Sequence, residues 1–230
     1  MERSLVTNYT PTKFQKIEFF LGIINRMLIG FVTIYVTFLS LRSLKNGDVP
    51  WHALLCTIGF KLLMTEGILS YYKGNSTTYN WFRREKVILH ITLQLLGSLF
   101  GITGMIFRMT IDKFHFTTLH GKLGLVAFVL CLISLLCGLS ALYSTRMKKY
   151  LQPFFSKTIH GLLGILTYAV GIVCLIYGYD TNVFGLMSQL EGDSLKSTIL
   201  ILKLATIGSL IITIYGPLGT AIYKLWNYLR

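Results

Sequence analysis

Charge is scarce in this chain. Charged residues make up 13% of its 230 residues, about half the share that a soluble domain carries. That deficit excludes an ordinary soluble globular protein. Acidic residues are the rarest part of it: nine, against 22 lysines and arginines, for a formal charge of +13. None of the four cysteines (Cys56, Cys131, Cys137, Cys174) lies in a loop, so cysteine usage says nothing about redox compartment. The connections between apolar segments are short, at roughly ten to twenty residues, which leaves no room for a soluble domain. No glycine-rich phosphate loop follows a strand, which removes the usual signature of nucleotide binding. The N-terminus lacks a short apolar stretch with a cleavage site. Its first apolar segment is long and reads as a signal-anchor helix.

What the chain has instead is long apolar runs. Hydrophobic residues make up 53% of it, and the mean hydropathy is +0.61. A helix needs about 20 apolar residues to cross a bilayer core of about 30 Å. Six segments qualify: 20–41, 51–71, 87–107, 119–142, 155–179 and 199–223. The fold expected is therefore all-α: a polytopic membrane protein of six transmembrane helices, with a four-helix core in spans 2–5. Residues 1–19 form an N-terminal tail, 20–223 the membrane domain and 224–230 a C-terminal tail.

The basic excess reads as topology rather than as a surface for nucleic acid. An even number of spans puts both termini on one side. That side holds Arg3, Lys13, Lys16, Lys73, Arg83, Arg84, Lys86, Arg146, Lys148, Lys149, Lys157, Lys224 and Arg230. The other side holds Arg42, Lys45, Arg108, Lys113, Lys122 and Lys196. The excess on the first side assigns both termini to the cytosol by the positive-inside rule. Asn8 and Asn75 open glycosylation sequons, and this topology keeps both away from the glycosylation machinery.

Four of the five histidines stand near the start of a span, each in a different one: His52, His90, His120 and His160. Spans 2 and 4 begin on the outer side, and spans 3 and 5 on the cytosolic side. Depth thus sorts the four into an outer pair, His52 with His120, and an inner pair, His90 with His160. At 1.5 Å per residue the two levels lie roughly 15–20 Å apart. A single membrane histidine is most often an interhelical hydrogen bonder. Four that sort into two depth-matched pairs point to two bis-imidazole metal sites. Two imidazoles without added carboxylate or thiolate make a poor zinc shell, but they fill both axial positions of a haem.

The phrase HGxxG occurs at 120–124 and again at 160–164. Residues i and i+4 share a helix face, so Gly124 and Gly164 lie beside the two imidazoles and leave space for a flat macrocycle. Gly121 and Gly161 are expected to allow close approach next to the ligand. The residue four after His52 is Cys56, still small. Four after His90 stands the bulkier Gln94, with Gly97 one turn beyond.

These residues resemble the cytochrome b561 family, and specifically its short stand-alone branch of b561-domain proteins. The matching stretches are Trp51-His52 with LLMTEGIL at 62–69, HITLQLLG at 90–97, HFTTLHG at 115–121 and KTIHGLLG at 157–164. The resemblance covers about residues 20–223. It implies a six-helix, di-haem transmembrane oxidoreductase with two haem b groups, whose ligands pair span 2 with 4 and span 3 with 5. It also implies cytosolic ascorbate as electron donor, and monodehydroascorbate or a ferric chelate as acceptor on the other side. Related proteins often form homodimers, and an endomembrane such as the endoplasmic reticulum or a vesicle is the expected location within the lipid bilayer.

Ascorbate is an anion, so cations near the inner pair are the candidate donor site: Arg83, Lys86 and Lys157, with Lys86 and Lys157 within a turn of a ligand. His115, in the 3–4 loop, is similar to a family residue that handles protons or acceptor on the outer side, and imidazole titrates near neutrality. The chain departs from better-known members after span 2, where Ser70-Tyr71-Tyr72-Lys73 stands in place of an arginine-ended phrase. In span 2, Glu66 is expected near the inner pair, and Lys61 is expected to face the bundle rather than lipid. Five residues apart, the two should not share an α-helical face. Arg26 is expected to snorkel to the cytosolic surface. Two rival readings make different demands. A haem-free proton-coupled transporter with a histidine relay would be colourless. A haem-bearing anchor subunit of a larger redox complex would need a partner to reduce an acceptor.

Overall fold

A computed structural model of the chain describes residues 12–44, 50–71, 78, 80–111 and 116–230. Within them lie six helices long and apolar enough to cross a membrane. They are α1 (Lys13–Leu44), α2 (Trp51–Tyr71), α3 (Arg83–Ile111), α4 (Leu119–Tyr143), α5 (Pro153–Gly178) and α7 (Gly192–Leu229). A short helix, α6 (Asn182–Ser188), lies between α5 and α7. The protein is an all-α polytopic membrane protein. Several helices run past the apolar segments, because a helix continues into polar residues until a cap or breaker stops it. The short α6 escaped the sequence reading because seven residues carry too little apolar periodicity.

The starts of the ligand-bearing helices have local causes. Thr118 caps α4, its hydroxyl accepting from the Gly121 backbone N–H at 3.1 Å. Such a cap is worth about 1 kcal/mol, and it sets His120 in the first turn. Pro153 opens α5 at a position where its missing N–H costs nothing. At the outer end Gln189 stands in the left-handed region, at φ 56°, and ends α6. The Arg42 guanidinium donates to its side-chain oxygen at 2.8 Å, tying the end of α1 to this turn.

Helix α2 is not uniform. Thr57–Met64 is wound as a π-helix between two α-helical turns. A π segment bonds i to i+5, is rare, and is often found at functional sites. Here it accompanies a close crossing with α3. A Cβ on Gly59 would stand 2.7 Å from the Gly97 carbonyl oxygen, and one on Gly101 would stand 2.7 Å from the Phe60 ring. Gly97 therefore serves the α2–α3 crossing.

Helices α2 and α3 pack closely as one antiparallel pair, and α4 and α5 as another. Contacts between α3 and α4 are sparse, as are those between α5 and the π segment. The two pairs thus face each other across a cleft. Helix α7 packs on α1 and α5, and α1 on α2, closing the side of the bundle away from the α3–α4 seam.

Candidate functional site: two imidazole pairs in one cleft

The four membrane histidines converge on this cleft, two at each end. His52 of α2 and His120 of α4 have ring centroids 5.8 Å apart, at an interplanar angle of 82°. His90 of α3 and His160 of α5 have centroids 6.2 Å apart, also at 82°. The pairs are those that depth alone predicts.

Three of the four rings are oriented by the neighbouring helix of their own packed pair. His52 Nδ1 lies 3.0 Å from the Gly104 carbonyl of α3, and His90 Nδ1 lies 2.8 Å from the Gly67 carbonyl of α2. His120 Nδ1 lies 2.9 Å from the Cys174 carbonyl of α5. A carbonyl can only accept, so each of these three Nδ1 atoms carries the proton and Nε2 keeps its lone pair. The corresponding carbonyl for His160 is that of Ser134 on α4. There Nδ1 stands outside hydrogen-bond geometry and is buried without a partner.

Glycines seat two of the rings. A Cβ on Gly138 of α4 would stand 3.1 Å from His160 Cε1, and one on Gly178 of α5 would stand 3.2 Å from His120 Cε1. Gly138 and Gly178 escaped the sequence reading. The signal was present: each lies 18 residues after the histidine of its own helix, at the level where the antiparallel neighbour places its own. Gly124 and Gly164 border the outer and inner cavities, where nothing comes closer to an added Cβ than Cys174 Sγ at 3.6 Å and Ser134 Oγ at 4.0 Å respectively. Gly121 and Gly161 do not serve a close helix approach. Gly121 packs on Phe116 in the turn before α4, and a Cβ on Gly161 would meet nothing within 4 Å. Gln94 does not obstruct the inner pair, because its side-chain amide is turned to donate to the Met64 carbonyl at 3.1 Å.

The two ends differ in room. The outer cavity is a narrow slot of about 50 Å³ lined by His52, His120 and small or apolar residues, with the free thiols Cys56, Cys131 and Cys174 among them. The inner cavity is about 2030 Å³ and reaches from His90 and His160 toward the ends of α1, α3, α5 and α7 that carry Lys16, Arg83, Lys157 and Lys224. Arg83 and Lys157 line it, together with Lys16, Lys224 and Glu18. Lys86 does not. Tyr71, in the phrase that departs from the family, lines the same cavity and meets His90 edge-on at 5.7 Å between centroids. Lys16 and Lys224 escaped sequence reasoning because they lie on α1 and α7, outside the four-helix core. His115 lies outside the described residues, as do Asn8 and Asn75.

One polar residue of the membrane segments takes a position other than that expected. Arg26 does not end in solvent. Its Nε lies 3.5 Å from Glu66 Oε1, with both side chains about a quarter exposed (26% and 28%). Lys203, on α7, pairs with Asp180 at 2.6 Å near the outer end.

These residues suit a bis-imidazole metal site. Two bonds of about 2 Å from a metal to imidazole nitrogens, plus the two ring radii, set opposed centroids about 6 Å apart, close to the spacing at both ends. Carbonyl acceptors on Nδ1 are the usual outer-shell partners of metal-bound histidine. At the outer pair the fit rests on the imidazoles and not on open volume. Among the described residues no three or more of His, Cys, Asp and Glu gather as a metal-binding group.

The fold and the two pairs define a helical membrane protein with paired imidazoles at both ends of an intramembrane cleft. The chain belongs to the eukaryotic cytochrome b561 family, whose sequence profile matches residues 51–185, a stretch that holds all four histidines. It is 29% identical over 126 residues to the mouse transmembrane reductase CYB561D2, covering 53% of this chain and 55% of that protein. The human and bovine proteins of the same name are each 28% identical over 126 residues, with the same coverage. The match thus spans about half the length of these relatives. No solved structure matches the chain.

Proposed function

We propose that the chain is a transmembrane oxidoreductase that moves electrons from cytosolic ascorbate to monodehydroascorbate or a ferric chelate on the other side. The observation that carries this reading is the placement of two imidazole pairs at opposite ends of one cleft. His52 with His120 and His90 with His160 would each hold one haem b. Bound haem would supply one-electron redox chemistry, with the paired imidazoles as the residues that hold it.

The residues of the chain supply orientation and access. The Gly104, Gly67 and Cys174 carbonyls fix the tautomer in which Nε2 has its lone pair. The apolar lining of the outer slot keeps water from that pair. Arg83, Lys157, Lys16 and Lys224 give the inner cavity a basic rim suited to an anionic donor. The cytosolic placement of both termini and an endomembrane location belong to the same reading and rest on the charge asymmetry.

The test is an optical spectrum of the protein purified from haem-replete cells, oxidised and then ascorbate-reduced. A low-spin b-type spectrum that ascorbate reduces is expected. A colourless protein would overturn the reading and favour a histidine relay. Vesicles holding ascorbate inside and a ferric chelate outside then distinguish an autonomous reductase from an anchor subunit, because only the former reduces the chelate without a partner.

A further inference from the structure

Helix α2 has a second, buried polar face. Its cleft side carries His52, Cys56, Phe60, Met64 and Ile68, which line the two cavities. On another side the π segment and its flank carry Thr57, Lys61 and Thr65, buried to 2%, 0% and 0% exposure. Lys61 lines neither cavity. It stands ten residues into a 21-residue span, near mid-membrane. Its Nζ is buried without a hydrogen bond. An intramembrane lysine with no counter-ion is costly and is by default a functional residue.

Other polar side chains are buried on α1, α5 and α7. Helix α7 contributes Thr206, Ser209 and Thr213 at spacings of three and four, each wholly buried. Asn25 Nδ2 of α1 donates to Thr213 Oγ1 at 2.9 Å, and Thr65 Oγ1 lies 3.0 Å from the Tyr168 hydroxyl of α5. Toward the outer end the Tyr179 hydroxyl lies 3.1 Å from Thr206 Oγ1. Asn25 Oδ1, Thr33 Oγ1 and Ser209 Oγ are buried with no partner, like Lys61 Nζ. Buried polar atoms left in this state are ordinarily met by internal water. At the cytosolic end the seam reaches the partly exposed Arg26–Glu66 pair.

We propose that Lys61 is a redox-linked proton site, reached from the cytosolic side along this seam. The proposal rests on the electron-transfer reading above. When the donor's electron enters the cleft, the Lys61 amine takes one proton from cytosolic water and becomes ammonium. When the electron leaves, the proton returns. Charge balances in each direction, and no bond to carbon forms or breaks. An ammonium without a counter-ion is disfavoured at this depth, and a negative charge arriving in the adjacent cleft compensates it. Away from the helix ends, the other titratable or charged groups on the elements packed here are Cys56 and Glu66 on α2, Arg26 and Tyr35 on α1, Tyr168 and Cys174 on α5, and Tyr179 just after it. Between His90 and Arg108 helix α3 has none, and between Lys203 and Tyr215 helix α7 has none.

The experiment is a spectroelectrochemical titration of the holoprotein at several pH values, for wild type, Lys61→Met, Lys61→Gln and Lys61→Arg. Where one proton accompanies one electron, each tenfold fall in proton concentration lowers the midpoint potential by up to about 59 mV. Wild type is expected to show such a slope, and the three variants a shallower one with an unchanged visible spectrum. Methionine is close in size and removes only the uncompensated amine, so that variant is expected to fold. Equal slopes in wild type and variants, or no slope in wild type, would overturn the proposal. A wild type without a b-type spectrum would overturn the electron-transfer reading itself, which separates the two failures.

Discussion

His90 Nδ1 lies 2.8 Å from the carbonyl oxygen of Gly67, on the neighbouring helix α2. The relationship is reciprocal, because His52 of α2 bonds in turn to Gly104 of α3. The three bonded acceptors lie 14 or 15 residues beyond the histidine of their own helix: Gly67 after His52, Gly104 after His90 and Cys174 after His160. That interval corresponds to about 21 Å of helix. Helices α2, α3 and α5 thus each hold one imidazole at one end of the cleft and orient a neighbour's imidazole at the other.

Removing one imidazole from a pair should empty one site and spare the other. For His90→Ala or His160→Ala, haem content measured as the pyridine haemochrome should fall from two per chain toward one, with loss of the same spectral component. His52→Ala and His120→Ala should remove the other component. If His52→Ala and His90→Ala removed the same component, the depth assignment would be wrong.

The glycine seats should be selective in the same way. Gly138→Leu drives a side chain into His160, and Gly178→Leu does so into His120. The first should perturb the inner component alone and the second the outer alone, read as shifts in the low-spin optical or electron paramagnetic spectrum. Gly161→Ala, with open space at its Cβ, serves as the control and should leave both components intact.

Phe60 is clamped between two helices. A Cβ on Gly171 of α5 would run into Phe60 Cδ1, and one on Gly101 of α3 would stand 2.7 Å from Cε2. Gly171→Ala overfills this contact and should cost about 1–3 kcal/mol, visible as a lowered unfolding temperature in detergent. Restoring the space with Phe60→Leu should recover part of that loss. A Gly171→Ala protein as stable as wild type would show that the ring can move aside.

Arg83 and Lys157 line the inner cavity and Lys86 does not. Exposed ion contacts contribute about 0.2–1 kcal/mol each. Arg83→Gln combined with Lys157→Gln should therefore raise the KM for ascorbate about two- to thirtyfold, leave kcat nearly unchanged, and weaken its dependence on salt. Lys86→Gln should change neither. A reversed result would place the donor outside the inner cavity.

With both termini in the cytosol, neither Asn8 nor Asn75 should carry a glycan. Treatment with an amidase that removes N-linked glycans should leave the electrophoretic mobility of the membrane-expressed chain unchanged. A shift abolished by Asn75→Gln would invert the topology, and with it the assignment of donor and acceptor ends.

The sequence by itself determined what depends on distance along the chain. Long apolar runs separated by short polar ones define six crossings, because hydrocarbon does not tolerate an unpaired backbone and a helix satisfies its own. Once the crossings are known, a residue's position fixes its depth. That is why His52 pairs with His120 and His90 with His160 before any packing is seen. What only the tertiary structure decided is direction around each helix and the identity of neighbours. Periodicity does not tell which of the small residues in a glycine-rich membrane helix meets an imidazole: Gly138 and Gly178 stand 18 residues after the histidines of the repeated HGxxG, and only packing brings them to a neighbour's ring. An α-helical count separates Lys61 from Glu66 on α2, yet Thr57–Met64 is a π segment, lying where Gly59 meets Gly97 and Gly101 of α3. Arg26 turned from the surface to Glu66 for the same reason: its partner stands on another helix, 40 residues away in the chain, and proximity between helices is a property of packing.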